Sequence, residues 1–302
     1  MSVIELLAAS PGLFIGTCLV LGLAVGSFLN VVIFRLPVML QRQWREQCAE
    51  ASAAGTAATA PDGAPERFNL IVPRSACPSC RAPISALQNI PLVSWLVLRG
   101  RCGSCGAPIS VRYPLVEALT ALLSALVAWR FGFGWPALAA LTLTWYLIAL
   151  AFIDIDHQLL PDTLTLPLLW IGLALSLWGG PSPAALLPVD ARSSLIGAMA
   201  GYASLWSVYH LFRLLTGKEG MGYGDFKLFA ALGAWLGWQL LLPVILIAAG
   251  VGAVVGVALI TLRGHERSTP IPFGPFLAAS GWLMLMWGPR LIGSYLRLFA
   301  HP

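Results

Sequence analysis

Apolar runs close to twenty residues long recur along the whole of this 302-residue chain. About 20 such residues in a helix cross the ~30 Å of hydrocarbon in a bilayer. Lipid offers the backbone no hydrogen-bond partner, so spanning segments must satisfy their own N–H and C=O groups, and runs of this length do so as helices. Runs at 12–36, 115–129, 135–153, 164–177, 194–215, 228–238, 240–262 and 273–287 predict an all-α polytopic membrane protein with about eight transmembrane helices. Composition excludes a soluble globular domain: 58% of residues are hydrophobic and 10% charged, against roughly 25% charged in soluble domains. The first run is preceded by Glu5 and is too long for a signal-peptide core, so it reads as a retained helix. The net charge of +5 reflects Lys and Arg collecting in cytoplasmic loops, which argues against nucleic acid as a partner.

The runs divide the chain into an N-terminal helix at 1–36, a polar loop at 37–114 and a seven-helix membrane domain at 115–302. Within the loop, 49–65 is rich in Ala, Gly, Thr and Pro and reads as a disordered linker. Placing the loop in the cytoplasm and alternating sides puts 14 of the 18 Lys and Arg residues inside, leaving Arg130, Arg192, Arg290 and Arg297 outside. That bias is the expected one. Residues 154–162 and 218–225 then emerge together on the cytoplasmic side. The sixth run is short, and its start is expected to border a cavity.

Four of the six cysteines form two C-x-x-C pairs, Cys77/Cys80 and Cys102/Cys105, inside a module spanning 71–113. Cys77, Ser79, Cys80, Ala82, Pro83, Ile84 and Ser85 recur 25 positions later as Cys102, Ser104, Cys105, Ala107, Pro108, Ile109 and Ser110, which predicts two equivalent hairpins. Each turn aims two thiolates at one point, and two turns complete a closed tetrahedral site of the structural zinc kind. Disulfides are the competing reading, disfavoured by a reducing cytoplasm. Cys18 and Cys48 lack such partners in the sequence.

Ionisable groups at membrane spans suggest function. The acids beside apolar runs are Glu117, Asp154, Asp156, Asp162 and Asp225. Residues two apart project from different helix faces, so one of Asp154 and Asp156 faces a shared cavity, and Asp154 lies nearer the apolar run. Asp162 stands where it would cap the next helix. Glu117 pairs with Arg112 or holds a substrate amine, and Asn30 and Arg35 sit near the end of the first helix, where Arg commonly snorkels. His157 reads as an interfacial residue. Asp225 follows Gly220, Gly222 and Gly224, and the glycines allow another backbone, such as a substrate strand, to approach closely. Two carboxyls brought together hold one proton between them, the arrangement needed to activate water and protonate a scissile carbonyl. The same acids can instead bind a cation or relay protons in an ion-coupled transporter, with the cysteine module as a cap, or the chain can be a non-catalytic assembly factor. His265-Glu266 lacks a second His at 269, so no zincin site forms, and no G-x-S-x-G elbow is present.

These residues resemble the type IV prepilin leader peptidase and N-methyltransferase family. The resemblance rests on Gly26-Ser-Phe-Leu-Asn30 through Pro37, the paired Cys turns, Asn89 through Trp95, Arg112 through Glu117, Asp154 through Asp162, and Gly222-Tyr-Gly224-Asp225. The G-x-G-D element alone is also similar to the presenilin-type aspartyl proteases. The pilin-enzyme resemblance implies that Asp154 and Asp225 are the catalytic acids. It implies membrane-borne prepilin and pseudopilin substrates, with a short basic leader ending in Gly and cut before a helix that usually starts with Phe. It further implies N-methylation of the new terminus with S-adenosylmethionine as donor. The setting it implies is the bacterial inner membrane, with the active site on the cytoplasmic side and pilus or type II secretion machinery as partners.

Overall fold

The computed structural model describes residues 2–53, 68–85, 90–180, 186–263 and 271–299. Ten α-helices run through them in chain order, and no strand occurs among the described residues, only isolated bridges in the cysteine hairpins. Four stretches are long and apolar enough to cross a membrane: Pro11–Ser52, Arg112–Phe131, Trp135–His157 and Trp238–Leu262. The described residues form two compact units, 17–123 and 1–16 with 124–302.

Unit 17–123 holds most of α2 (Pro11–Ala53), the cysteine hairpins, α3 (Val93–Val97) and the first half of α4 (Arg112–Phe131). After α1 (Val3–Ala9), whose Ser2 and Glu5 form a reciprocal capping box, α2 runs for 43 residues. It continues through Pro37, where one backbone hydrogen bond is lost. The linker expected from residue 49 therefore does not begin there: residues 49–53 still form helix, because Ala and Glu are good helix formers. Residues 54–65 of that linker, Asn89 and the His265-Glu266 pair lie outside the described residues. Gly26 lets α2 and α4 meet at the backbone, since a Cβ there would lie 2.7 Å from Glu117 Cα. Asn30 Nδ2 donates to the Tyr113 carbonyl across the same contact, at 3.0 Å.

In the other unit, α8 (Tyr223–Leu236) is the centre. From Asp225 onward nearly every residue of this helix is buried, the pattern of a helix covered on all sides. The helices α6 (Asp162–Ser176) and α7 (Ala191–Thr216) pack on it. Trp235 Nε1 donates to Leu168 O of α6 at 2.8 Å, over Gly172. On the α7 side, Gly197 and Gly233 meet backbone to backbone, and a Cβ on Gly201 would lie 2.7 Å from Phe229 O. Gly233→Ala would drive a methyl into the Gly197 carbonyl. We expect it to destabilise by about 1–3 kcal/mol, read as a lowered thermal midpoint in detergent. A midpoint equal to wild type would contradict this close crossing. The remaining walls are α5 (Trp135–His157), α9 (Leu241–Arg263) and α10 (Gly274–Phe299). Trp282 of α10 donates to Thr144 of α5 at 3.1 Å.

Candidate active site

Asp154 lies in the last turn of α5, which ends at Gln158 in the left-handed conformation with its N–H bonded to the Asp154 carbonyl. Asp225 lies in the first turn of α8, its own N–H turned back to Gly222 O at 3.2 Å. Both side chains are buried, at 5% and 7% exposure, and they flank one leucine: Leu160 limits both Gly224, the neighbour of Asp225, and Gly274, the neighbour in space of Asp154. Asp156, two residues on, is exposed. The helical period that separated these two acids in the sequence thus separates their burial here.

The two carboxyls differ in their partners. Asp154 Oδ2 accepts the N–H of Gly274, the first residue of α10, at 2.9 Å. Asp225 Oδ1 is buried with no hydrogen-bond partner among the described residues. An orphaned buried carboxyl oxygen is costly. The N-termini of α8 and α10, each carrying partial positive charge, therefore both converge on this carboxylate pair.

The glycines of Gly222-Tyr-Gly224-Asp225 have separate duties. A Cβ at Gly222 would lie 3.7 Å from Asp225 Oδ2, in ordinary contact with that carboxyl. A Cβ at Gly224 would lie 2.6 Å from Leu160 Cβ, so Gly224 lets α8 dock on the turn that follows α5. Asp162 does not cap α6: Pro161 occupies the cap position, and Asp162 takes both its oxygens to Lys227 Nζ, at 2.6 and 2.7 Å. A partly exposed pair like this contributes little stability, about 1 kcal/mol at most.

Gly274 was not legible as a site residue. Its only signal in the sequence is its setting, Pro272-Phe-Gly274-Pro275, a glycine between prolines at the head of an apolar run. Helix starts favour proline, but nothing in that pattern points to an acid 120 residues away.

The second constellation is the cysteine module. The two hairpins repeat at the predicted offset of 25: bridges pair Ala76 with Pro83 and Arg101 with Pro108. Cys77 N–H bonds Ala82 O at 3.0 Å, and Cys102 N–H bonds Ala107 O at 2.8 Å. Arg81 and Gly106 hold the equivalent left-handed position, which costs the arginine and not the glycine. The Sγ atoms of Cys77, Cys80, Cys102 and Cys105 lie within 4.8 Å of one another, with Cys77 and Cys105 at 3.9 Å. Four Zn–S bonds of ~2.3 Å in a tetrahedron need ~3.8 Å between sulfurs, so the cluster fits such an ion. Backbone N–H groups of Cys80 and Ser79 bring the Cys77 thiol down to about 6, and those of Cys105 and Ser104 lower Cys102, whereas at Cys105 the Ala107 N–H is outweighed by the crowded thiols of Cys80, Cys102 and Cys77, which push it up to about 11. The thiolate is the form that binds metal.

Arg35 does not snorkel. It is buried and donates to Asn69 O at 2.9 Å and Pro73 O at 2.6 Å, tying α2 to the chain entering the first hairpin, while Arg42 stacks over Phe68 at 4.4 Å. Glu117 accepts from Leu92 N–H at 2.8 Å and from Ser27. It thereby holds the left-handed Leu92 at the start of α3. Trp95 of α3 in turn donates to Ile109 O of the second hairpin at 3.3 Å. Cys18 is buried and Cys48 exposed, both outside the cluster.

A helical membrane fold with a buried acid pair and a four-cysteine module defines a narrow class. Residues 20–131 match the model of the bacterial Peptidase A24 N-terminal domain, and residues 141–257 that of the type IV leader peptidase family. The chain belongs to the prepilin leader peptidase/N-methyltransferase family, as its motifs suggested. Curated relatives bearing that name include one from Aeromonas salmonicida, 56% identical over 97% of both chains. Others are from Stutzerimonas stutzeri, 53% identical over 98% of this chain and 99% of the relative, and Pseudomonas aeruginosa, 52% identical over 98% of each. No solved structure matches.

Proposed function

We propose that this chain is an aspartyl peptidase of the bacterial inner membrane that removes the leader from prepilins and pseudopilins at the cytoplasmic face and then N-methylates the new terminus. The observation that carries the peptidase reading is the buried pair Asp154 and Asp225, brought together from α5 and α8 with Asp225 Oδ1 unpartnered. Its support for the wider activity is the family's name.

In this reading the pair holds one proton. The ionised carboxylate takes a proton from water as the water oxygen bonds to the scissile carbonyl carbon, and the protonated partner gives its proton to the carbonyl oxygen. The resulting diol collapses as the C–N bond breaks. The departing nitrogen takes the proton first removed from water, and a hydroxyl proton returns to the second carboxyl. Both acids end as they began. Gly222 leaves room for an extended substrate backbone beside Asp225.

We assign structural zinc to Cys77, Cys80, Cys102 and Cys105, supported by the sulfur spacing. Zinc there would hold together a module too small for a core of its own. S-adenosylmethionine, proposed from the methyltransferase name of the relatives, would supply an electrophilic methyl group to the released amine. The helical fold offers it no strand-turn-helix cradle among the described residues. We also propose that all eight apolar runs span the membrane, with α6, α7, α8 and α10 completing the four stretches that satisfy length and composition alone. The cysteine module would then be cytoplasmic, beside the pilus or secretion machinery that uses the products.

The test is intact-mass spectrometry of a purified precursor pilin incubated with the full-length protein and S-adenosylmethionine. The expected product has lost a leader ending in Gly and gained the mass of one methyl group. Cleavage without the added mass would remove the methyltransferase assignment. An intact precursor beside folded wild-type protein would remove the peptidase and bring forward ion-coupled transport.

A further inference from the structure

Asp154 stands near the C-terminal end of α5, where the partial charge of the helix is negative and a carboxylate is disfavoured. A hydrogen-bond donor reaches it from far along the chain, the N–H of Gly274 at the opposite kind of helix end. The approach is close enough that any side chain at position 274 would force Asp154 to shift: a Cβ there would lie 2.7 Å from Asp154 Oδ2, 3.1 Å from its Cγ and 3.2 Å from Leu160 Cδ1. Leu160 is buried, and its Cβ also sets the limit at Gly224. One leucine thus stands between the starts of α8 and α10, against Gly224 of the first and Gly274 of the second.

We propose that Gly274 is a positioning residue for peptide cleavage, fixing Asp154 through its N–H and its missing side chain, with Leu160 as the spacer that registers α10 against α8. This rests on the assignment of Asp154 and Asp225 as the reacting pair. One oxygen of Asp154 is committed to the start of α10, so the carboxyl is held in a single orientation toward Asp225. A rotation of that carboxyl would misplace one of the two reacting acids while leaving the substrate-binding surface unchanged. Misplacement of about 1 Å costs on the order of a hundredfold in rate.

The experiment compares Gly274→Ala with Gly281→Ala in the full-length protein, measuring kcat and KM for precursor cleavage per folded molecule. Gly281 lies on the same helix, and a Cβ there meets Leu232 Cδ2 at 2.5 Å, so it strains packing without reaching Asp154. Gly274→Ala is expected to lower kcat by ten- to a hundredfold with KM within about twofold, while methyl transfer to an already cleaved pilin persists. Gly281→Ala is expected to lower the thermal midpoint and keep kcat. Should Gly274→Ala not be recovered folded, an ester linkage replacing the amide at 274 removes the N–H without adding an atom and carries the same expectation. A folded Gly274 variant with wild-type kcat, a loss confined to KM, or an equal kcat loss in Gly281→Ala would overturn the proposal. Asp154→Asn and Asp225→Asn run alongside. If either still cuts, the acid pair itself is wrong, whereas dead Asn variants beside a fully active Gly274→Ala remove only the role of Gly274.

Discussion

Asp154→Asn and Asp225→Asn are each expected to lower precursor cleavage by about 10²- to 10⁴-fold while leaving the protein folded. The substitution keeps shape and removes only the ability to exchange a proton. An Asn amide oxygen at 154 can still accept the Gly274 N–H, so the start of α10 loses no partner. At 225 the neutral amide replaces a carboxyl whose Oδ1 already lacks a partner, so burial there becomes no more costly. Because the two acids act as one unit, the double variant should be about as inactive as either single one. Asp→Glu at either position moves the carboxyl by one methylene in a closely packed site and should also be nearly inactive, whereas an ion-relay site would keep graded function with Glu. Initial rates from the intact-mass assay, with thermal midpoints as the control for folding, decide the matter. An active Asn variant would refute the pair.

The second large effect is expected from the cysteine module. Structural zinc binds such sites with about 10–16 kcal/mol of apparent free energy. Outside the cysteine cluster, the hairpins are held mainly by short backbone pairings and by Trp95 against the turn at Gly100. The Cys77→Ser, Cys102→Ser double variant, which breaks one thiolate from each turn, should therefore lose the ion and unfold the module locally. Elemental analysis should give about one zinc per wild-type chain and none for the variant, and limited proteolysis should newly cut within 68–111. A strong chelator should reproduce the proteolysis in wild type. Undiminished protection in the metal-free variant would show that the hairpins fold without the ion.

Features repeating over short distances were legible before the fold was known. The 25-residue offset between the Cys turns became two superimposable hairpins because each depends on hydrogen bonds between residues a few positions apart. Asp154 could be separated from Asp156 because helical period alone assigns them to different faces. The full length of α2 was harder to read, since its polar second half carries no apolar period, and a linker composition at 49–53 does not stop residues with good propensity from extending a helix already nucleated. Asp162 looked like a cap because the residue type favours that position. Its actual partner, Lys227, lies 65 residues away and is chosen by the docking of α6 on α8.

By itself the sequence determined the solvent, the helical class, the paired cysteine turns and the acids available for chemistry, because hydrophobic length, local periodicity and side-chain chemistry act within a few turns of chain. Only the tertiary structure decided which acids are buried and what holds them. The Gly274 N–H at Asp154, the Gly197 to Gly233 crossing behind Asp225 and the burial of Arg35 on the carbonyls of Asn69 and Pro73 are contacts between distant segments. The glycine crossing sets backbone on backbone and the other two set a side chain on a distant backbone, and all three need remote segments held at contact distance. That closeness is set by how whole helices pack, which no local pattern in the chain encodes.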